Sequence, residues 1–246
     1  LSTKAKSDFT AKVANATTKD AVASIVSDAK VADALVGTKE DAKSTIDEFK
    51  FLSNTVKSEL KTKVEAAKTE ADVKSVVDYA TQANEDAKQL QDVQAESIEA
   101  INAMTHLTQE QKDAFISKIN ESNLISEVKS IRANAVTENK LAEAKANAVS
   151  AINALTHLSD NEKTSFKDKV AATKADDAIS SIVSEAKTRD TVIASQYTAV
   201  TRIMGLEYLS DSRKSEFVLQ IQNATDESSI QQILDAAASE EPAAKE

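Results

Sequence analysis

The chain repeats itself. A Leu-Ser or Leu-Thr pair, with Lys four residues after the hydroxyl side chain, occurs at Leu1-Ser2…Lys6, Leu52-Ser53…Lys57, Leu107-Thr108…Lys112, Leu158-Ser159…Lys163 and Leu209-Ser210…Lys214. Successive spacings are 51, 55, 51 and 51 residues. Such periodicity means an array of small units, each too small to bury a core well alone, coupled chiefly to its neighbours. A catalytic centre needs unlike residues converging on one pocket, and near-copies of one unit do not supply them.

The register inside each unit is strict. Eight residues after the anchor Leu stands Phe9, Leu60, Phe115, Phe166 or Phe217, and twelve after it Val13, Val64, Ile119, Val170 or Ile221. Val22, Val73, Val128, Ile179 or Ile230 follows at twenty-one, and Ile25, Val76, Ile131, Ile182 or Ile233 at twenty-four. Upstream, Ile46, Ile101, Ile152 or Ile203 lies six residues before the anchor, and Phe49, Met104, Leu155 or Leu206 three before it. These offsets place apolar groups on one helical face, and strand alternation is absent. With only two Gly and one Pro in 246 residues, there is almost no hairpin chemistry.

Each unit therefore reads as three helices. The Ser or Thr beside the anchor predicts the N-cap of the second helix, with a capping-box pattern at Thr108…Gln111 and Ser159…Glu162. Polar breaks at Thr17-Thr18, Lys68-Thr69, Ser122-Asn123, Thr173-Lys174 and Thr225-Asp226 separate the second helix from the third. Thr69-Glu70-Ala71-Asp72 resembles a cap with an acidic first turn, which the helix dipole favours. No stop follows the third helix, so it is expected to run directly into the first helix of the next unit. The one long spacing fits this, because four extra residues in a continuous helix add about 6 Å and rotate its face by only about 40°. Gly37 and Gly205 read equally as bends or ends of these helices and as tolerated glycines.

The expected fold class is all-α: tandem three-helix bundles joined by long continuous helices into an elongated rod. The expected domains are a partial repeat over 1–33 holding only the second and third helices, three-helix repeats over 34–88, 89–139, 140–190 and 191–238, and a disordered tail over 239–246. Because the chain opens on the anchor Leu and not on Met, it reads as a fragment of a longer array.

The chemistry is sparse. A formal charge of −10 with interspersed Lys and Asp/Glu argues against nucleic acid and against an anionic membrane surface. No apolar stretch approaches the roughly 18 residues that cross a bilayer, so no membrane insertion is expected within these residues. Zero Cys removes Cys-based zinc sites and thiol nucleophiles. His106 and His157 both precede the anchor Leu, where Phe51 and Tyr208 stand in other units. A position that accepts His, Phe and Tyr reads as a half-exposed ring at a helix end. The recurrent Lys6, Lys57, Lys112, Lys163 and Lys214 read as residues whose stems cover the core edge while the ammonium reaches solvent or a carboxylate. The tripeptides at Asn15, Asn120 and Asn223 match the glycosylation pattern, as Ser/Thr-rich chains readily do, and carry no weight. No catalytic, cofactor-binding or metal residue is predicted, no cofactor is expected, and the chain does not read as an enzyme.

The run Ala144 to Leu158, with Ile152-Asn153-Ala154-Leu155-Thr156-His157-Leu158 at its end, and its echo Ile101-Asn102-Ala103-Met104-Thr105-His106-Leu107, carry a resemblance. They are similar to repeats of the giant staphylococcal extracellular-matrix-binding proteins, which contain modules related to the albumin-binding GA module of Gram-positive surface proteins. The resemblance implies a very long, cell-wall-attached, extracellular protein of three-helix modules. It implies an adhesin repeat region associated with fibronectin or serum albumin. The regular spacing, the unlike surfaces between units and the lack of a convergent polar site lead us to expect a monomeric, extended stalk that binds such a host protein weakly and multivalently. The second helix reads about one turn longer than in albumin-binding GA modules, so no albumin-contact residue is transferred. The alternative is an intracellular helical scaffold with no host ligand.

Overall fold

The structure is a computed structural model that describes residues 1–243. The described residues form ten helices and no strands. Five short ones follow the anchors: α1 (Thr3–Ala14), α3 (Asn54–Ala66), α5 (Gln109–Glu121), α7 (Asp160–Ala172) and α9 (Asp211–Asn223). Four long ones alternate with them: α2 (Lys19–Glu48), α4 (Glu70–Asn102), α6 (Ile125–Asn153) and α8 (Asp176–Met204). The last is α10 (Glu227–Ala243). Each long helix is the third helix of one module and the first helix of the next, as the missing stop signals predicted. The insertion is absorbed inside a helix too: α4 has 33 residues where α6 and α8 have 29.

Local chemistry sets the helix starts. The side chains of Ser2, Ser53, Thr108, Ser159 and Ser210 each accept a hydrogen bond from the backbone N–H three residues on, at 3.2–3.3 Å. Both predicted capping boxes close. The Gln111 side chain accepts from Thr108 N–H at 2.9 Å, and the Glu162 carboxylate from Ser159 N–H at 3.0 Å. Asp72 and Thr69 make the same reciprocal pair at the start of α4, at 3.0 and 3.1 Å.

The chain divides into two compact units: Leu1–Asn102 with Ala114–Arg132, and Ala103–Asp113 with Ala133–Glu246. In the first unit, Ala42 and Ile46 of α2 pack with Leu60 and Val64 of α3 and Val73 and Ala80 of α4. The second unit holds two such cores. One joins Ala148 and Ile152 of α6 to Leu158, Phe166, Val170, Ile179 and Ala186. The other joins Val192, Ala199 and Ile203 of α8 to Leu209, Phe217, Ile221, Ile230, Leu234 and Ala237. Two alanine positions recur inside these cores. Ala80, Ala135, Ala186 and Ala237, twenty-eight residues after the anchor, are fully buried. Ala42, Ala148 and Ala199, ten before it, are also buried; Ser97 takes that place in α4 and its hydroxyl has no partner. Small side chains at both places let the two long helices approach closely around the short one.

One expectation is corrected, and the open readings of the two glycines are decided. The tail expected to be disordered from 239 is helical as far as Ala243. It is held there because Glu240 and Glu241 bond Arg213 and the loop before α9; residues 244–246 lie outside the described residues. Gly37 neither bends nor ends a helix: it sits within α2, and a Cβ there would meet nothing within 4 Å. Gly205 is an end, the C-cap of α8 at φ −82°, so no left-handed backbone demands glycine there. Gly37→Ala is therefore expected to stabilise α2 by about 0.5–1 kcal/mol through lost unfolded-chain freedom. Slower amide exchange across α2 checks this.

Candidate functional site

Three recurring polar positions form ties inside the modules. The recurrent Lys shows this first. Lys57 Nζ donates to the Asp47 carbonyl at 2.9 Å, and Lys163 Nζ to the Asn153 carbonyl at 3.3 Å. Those carbonyls belong to the last turn of the preceding long helix, where backbone acceptors lack intrahelical donors. The expectation of solvent or a carboxylate is corrected accordingly: a helix terminus is the better partner, because it offers an otherwise unmet acceptor and the negative end of the helix dipole.

A second tie went unread in the sequence. Thirteen residues before the anchor stand Lys39, Gln94, Lys145 and Gln196. Each reaches the C-terminal carbonyls of the short helix beside it: Lys39 to Glu65 at 2.6 Å, Gln94 to Ile119 and Ser122 at 2.9 and 3.0 Å, Lys145 to Ala171 at 2.8 Å, and Gln196 to Ile221 and Ala224 at 3.0 and 2.9 Å. Lys and Gln look unlike as letters, yet both are long N–H donors, and that shared property was the available signal.

A third tie closes the loop before each short helix. Thirty-two residues after the anchor stands Asp33, Asn84, Asn139, Asp190 or Glu241. Asn84 accepts from Phe51 N–H at 3.0 Å and Asn139 from His106 N–H at 3.0 Å. Asp190 accepts from His157 and Leu158 N–H at 2.7 and 3.0 Å, and Glu241 from Glu207, Tyr208 and Leu209 N–H at 2.7–3.2 Å. The Leu1 nitrogen donates to Asp33 in the same register. The two histidines thus matter through their backbone. Only the His157 ring joins in, its Nδ1 lying 3.2 Å from Asp190 Oδ2. No group of three or more His, Cys, Asp or Glu gathers to hold a metal ion among the described residues.

These acceptors differ in how they meet acid. Burial pushes the Asp190 carboxyl up, but the donors from His157 and Leu158 outweigh it and hold the group below the usual carboxylate range. A depressed folded-state value means that the tie contributes fully above the unfolded pKa and is lost as pH falls through the folded one. The loss for Asp190 therefore begins below about pH 4, whereas the Asn139 tie carries no titrating group. Amide exchange, corrected for its intrinsic pH dependence, is expected to speed up at His157 and Leu158 as pH falls below about 4 while His106 holds. Asp190→Asn is expected to remove that difference.

Two further repeated contacts are internal. Lys12, Lys118 and Lys169 lie over the rings of Phe9, Phe115 and Phe166 at 5.1, 5.7 and 5.0 Å. Where the ring position is Leu60, Lys63 turns to Tyr79 at 5.5 Å, and Arg213 covers Phe217 at 4.4 Å. Glu162 pairs with Arg189 at 3.0 Å, and in the next module the same two places carry Arg213 and Glu240 at 2.6 Å, with the charges exchanged. A ligand that read this face by charge would not tolerate the exchange, whereas helix packing does.

What remains open is shallow and individual. One groove, about 400 Å³, runs past His157, Glu162, Arg189, Ile193 and Tyr197. Its lining is only partly repeated: His157 has His106 as a counterpart and Gln196 has Gln94, but the place of Arg189 is taken by Ala83, Glu138 and Glu240. No described helix is long and apolar enough to cross a membrane.

The GA-module family matches residues 1–34, 33–86, 87–137, 138–192 and 194–239 of the chain. A solved structure, the crystal structure of EbhA (756–1003 domain) from Staphylococcus aureus, is similar at 16% identity with a TM-score of 0.36, over 82% of this chain and 99% of that one. Among curated proteins none matches.

Proposed function

The chain belongs to the GA-module family, whose matches cover nearly all of it, and from that premise we propose that it is the repeat region of a bacterial cell-surface adhesin. In this reading it acts as an extended, monomeric stalk outside the cell, attached to the wall through its parent chain, and binds host protein only weakly through many modules at once. It has no catalytic activity.

One observation carries the preference for a stalk. Ten residues after the anchor, on the outer side of each short helix, stand Ala11, Thr62, Ser117, Asp168 and Leu219, all exposed and all different. Ligand contacts repeated along an array would keep a common exposed residue free of its own module; the one exposed Lys kept, at Lys12, Lys63, Lys118 and Lys169, instead lies over a ring of its own module, and a spacer need only keep such internal contacts. The interior is what repeats here: the buried alanines, the rings and the three polar ties. Fibronectin and serum albumin are the host proteins to test, on the strength of the resemblance described above. Any single module is expected to bind either one weakly, because no convergent polar site recurs.

The test uses the whole chain against immobilised fibronectin or albumin at low and high surface density. Retention is expected only at high density, since linked weak sites gain about 10²–10⁴ in avidity without any new contact. Tight one-to-one binding in solution would replace the stalk by a dedicated receptor-binding protein. Solution scattering provides the companion measurement. A mass of one chain, 26.4 kDa, with a radius of gyration well above the roughly 18 Å of a globule this long supports a stalk, and a value near that figure rejects it.

A further inference from the structure

The turn that follows each short helix lets like be compared with like. Sixteen and seventeen residues after the anchor stand Thr17-Thr18, Lys68-Thr69, Asn123-Leu124, Lys174-Ala175 and Thr225-Asp226. Four of these turns are held by a side chain. Thr18 accepts from Ala21 N–H at 3.2 Å, Thr69 from Asp72 N–H at 3.1 Å and Asp226 from Ser229 N–H at 2.8 Å. The Ser122 hydroxyl accepts from Leu124 N–H at 3.4 Å and donates to Glu127 at 2.8 Å. The fifth turn is the exception: Ala175 is the N-cap of α8 and supplies no side-chain acceptor. Asp177 accepts from Ala178 N–H at 2.9 Å, but that bond lies inside the first turn of α8 and ties nothing back to 173–175.

Lys68 and Lys174 form a matched pair. Each follows a short helix whose end is held, Lys39 bonding the Glu65 carbonyl and Lys145 the Ala171 carbonyl. Residues 68–71 and 174–177 are all exposed, and both following helices open on acidic residues. What differs is the cap. Besides the bond to Thr69, Asp72 accepts from Lys68 and Thr69 N–H at 3.3 and 3.0 Å, and α8 has no counterpart to this clasp. Endopeptidases take their substrate extended, so a bond beside a helix is cut from the locally opened state, at a rate that follows its population. We propose that the Lys174–Ala175 bond is a cleavage site for a Lys-selective endopeptidase of the trypsin type, opened by fraying of the first turn of α8. Water adds across the amide, leaving a carboxylate on Lys174 and a free amino group on Ala175. The cut leaves Phe166 and Val170 packed with Ile179 and Ala186 with no covalent link between the two sides of that core.

The experiment treats the full chain with dilute trypsin and follows both bonds by mass. Each rate is divided by that of the same bond in synthetic peptides of residues 167–182 and 61–76. On this scale Lys174–Ala175 is expected to be cut about fivefold faster than Lys68–Thr69, the usual worth of one N-cap. Ala175→Thr supplies an acceptor for Ala178 N–H and is expected to slow the cut about fivefold, measured against a peptide with the same change. Thr69→Ala is expected to speed the cut after Lys68 and leave that after Lys174 as it was. Amide exchange adds a readout free of protease preference. The first helical bonds, Val73 N–H to the Thr69 carbonyl and Ile179 N–H to the Ala175 carbonyl, have lengths of 3.2 and 3.3 Å. Corrected for intrinsic rates, Ile179 is expected to exchange faster than Val73 and to slow in the Ala175→Thr chain. Equal normalised rates at the two bonds overturn the proposal, as does an Ala175→Thr chain cut as fast as the parent. Exchange at Ile179 as slow as at Val73 overturns it too.

Discussion

Replacing Phe166 with Ala lowers the stability of the 140–190 module by about 3–5 kcal/mol, the usual cost of deleting a buried ring. Phe166 is 7% exposed and touches the core shared by α6, α7 and α8. Its loss removes apolar burial and leaves a cavity among Ile152, Val170 and Ile179, which the two long helices cannot collapse to fill without breaking their own ladders. It also leaves Lys169 without the ring beneath its ammonium. A module of about 50 residues has little stability to spare, so the module opens. Amide exchange is expected to lose protection across 141–187. Because modules couple only to neighbours, protection across 35–80 is expected to persist. The 191–238 module, which shares α8, is expected to weaken in part. A uniform loss along the chain, or none, would contradict this account of separate cores.

Ala186→Leu is expected to cost about 1–3 kcal/mol by overpacking. The site is fully buried in the same cluster, and every module keeps Ala there, from Ala29 to Ala237. Adding an isobutyl group forces α8 away from α6 or drives neighbours off their rotamers. The control is one position earlier in the last module's register: Ala236 is exposed, and Ala236→Leu is expected to stay within about 0.5 kcal/mol of the parent. Denaturant unfolding of the three chains, followed by helical signal, measures both. Equal tolerance at the two sites would mean that the helices do not approach at the recurring alanine.

Much of this was legible in the letters. The N-caps at Ser53, Thr108, Ser159 and Ser210, both capping boxes, the breaks between short and long helices and the seamless long helices follow from sequence-local chemistry. That chemistry acts within four residues, which is why a sequence displays it. The same locality explains the errors. Nothing near 239 announces that Glu240 and Glu241 find partners 27 and 33 residues upstream. Nothing near Lys57 says that its ammonium meets the Asp47 carbonyl rather than a carboxylate. The donors at Lys39, Gln94, Lys145 and Gln196 were hidden because the repeat keeps a property there and not a residue.

The sequence by itself determined the period, the helix boundaries and the apolar stripes, since these depend on backbone propensity, capping and burial pattern along one stretch of chain. Only the tertiary structure decided which recurring side chains are spent. It showed that Lys57 and Lys163 after their anchors, the long donors before the anchors and the acceptors thirty-two residues beyond them serve helix termini and loops inside the modules. The physical reason is that an unmet backbone N–H or C=O at a helix end or in a loop takes the nearest partner in space, and nearness in space is set by how three helices fold together.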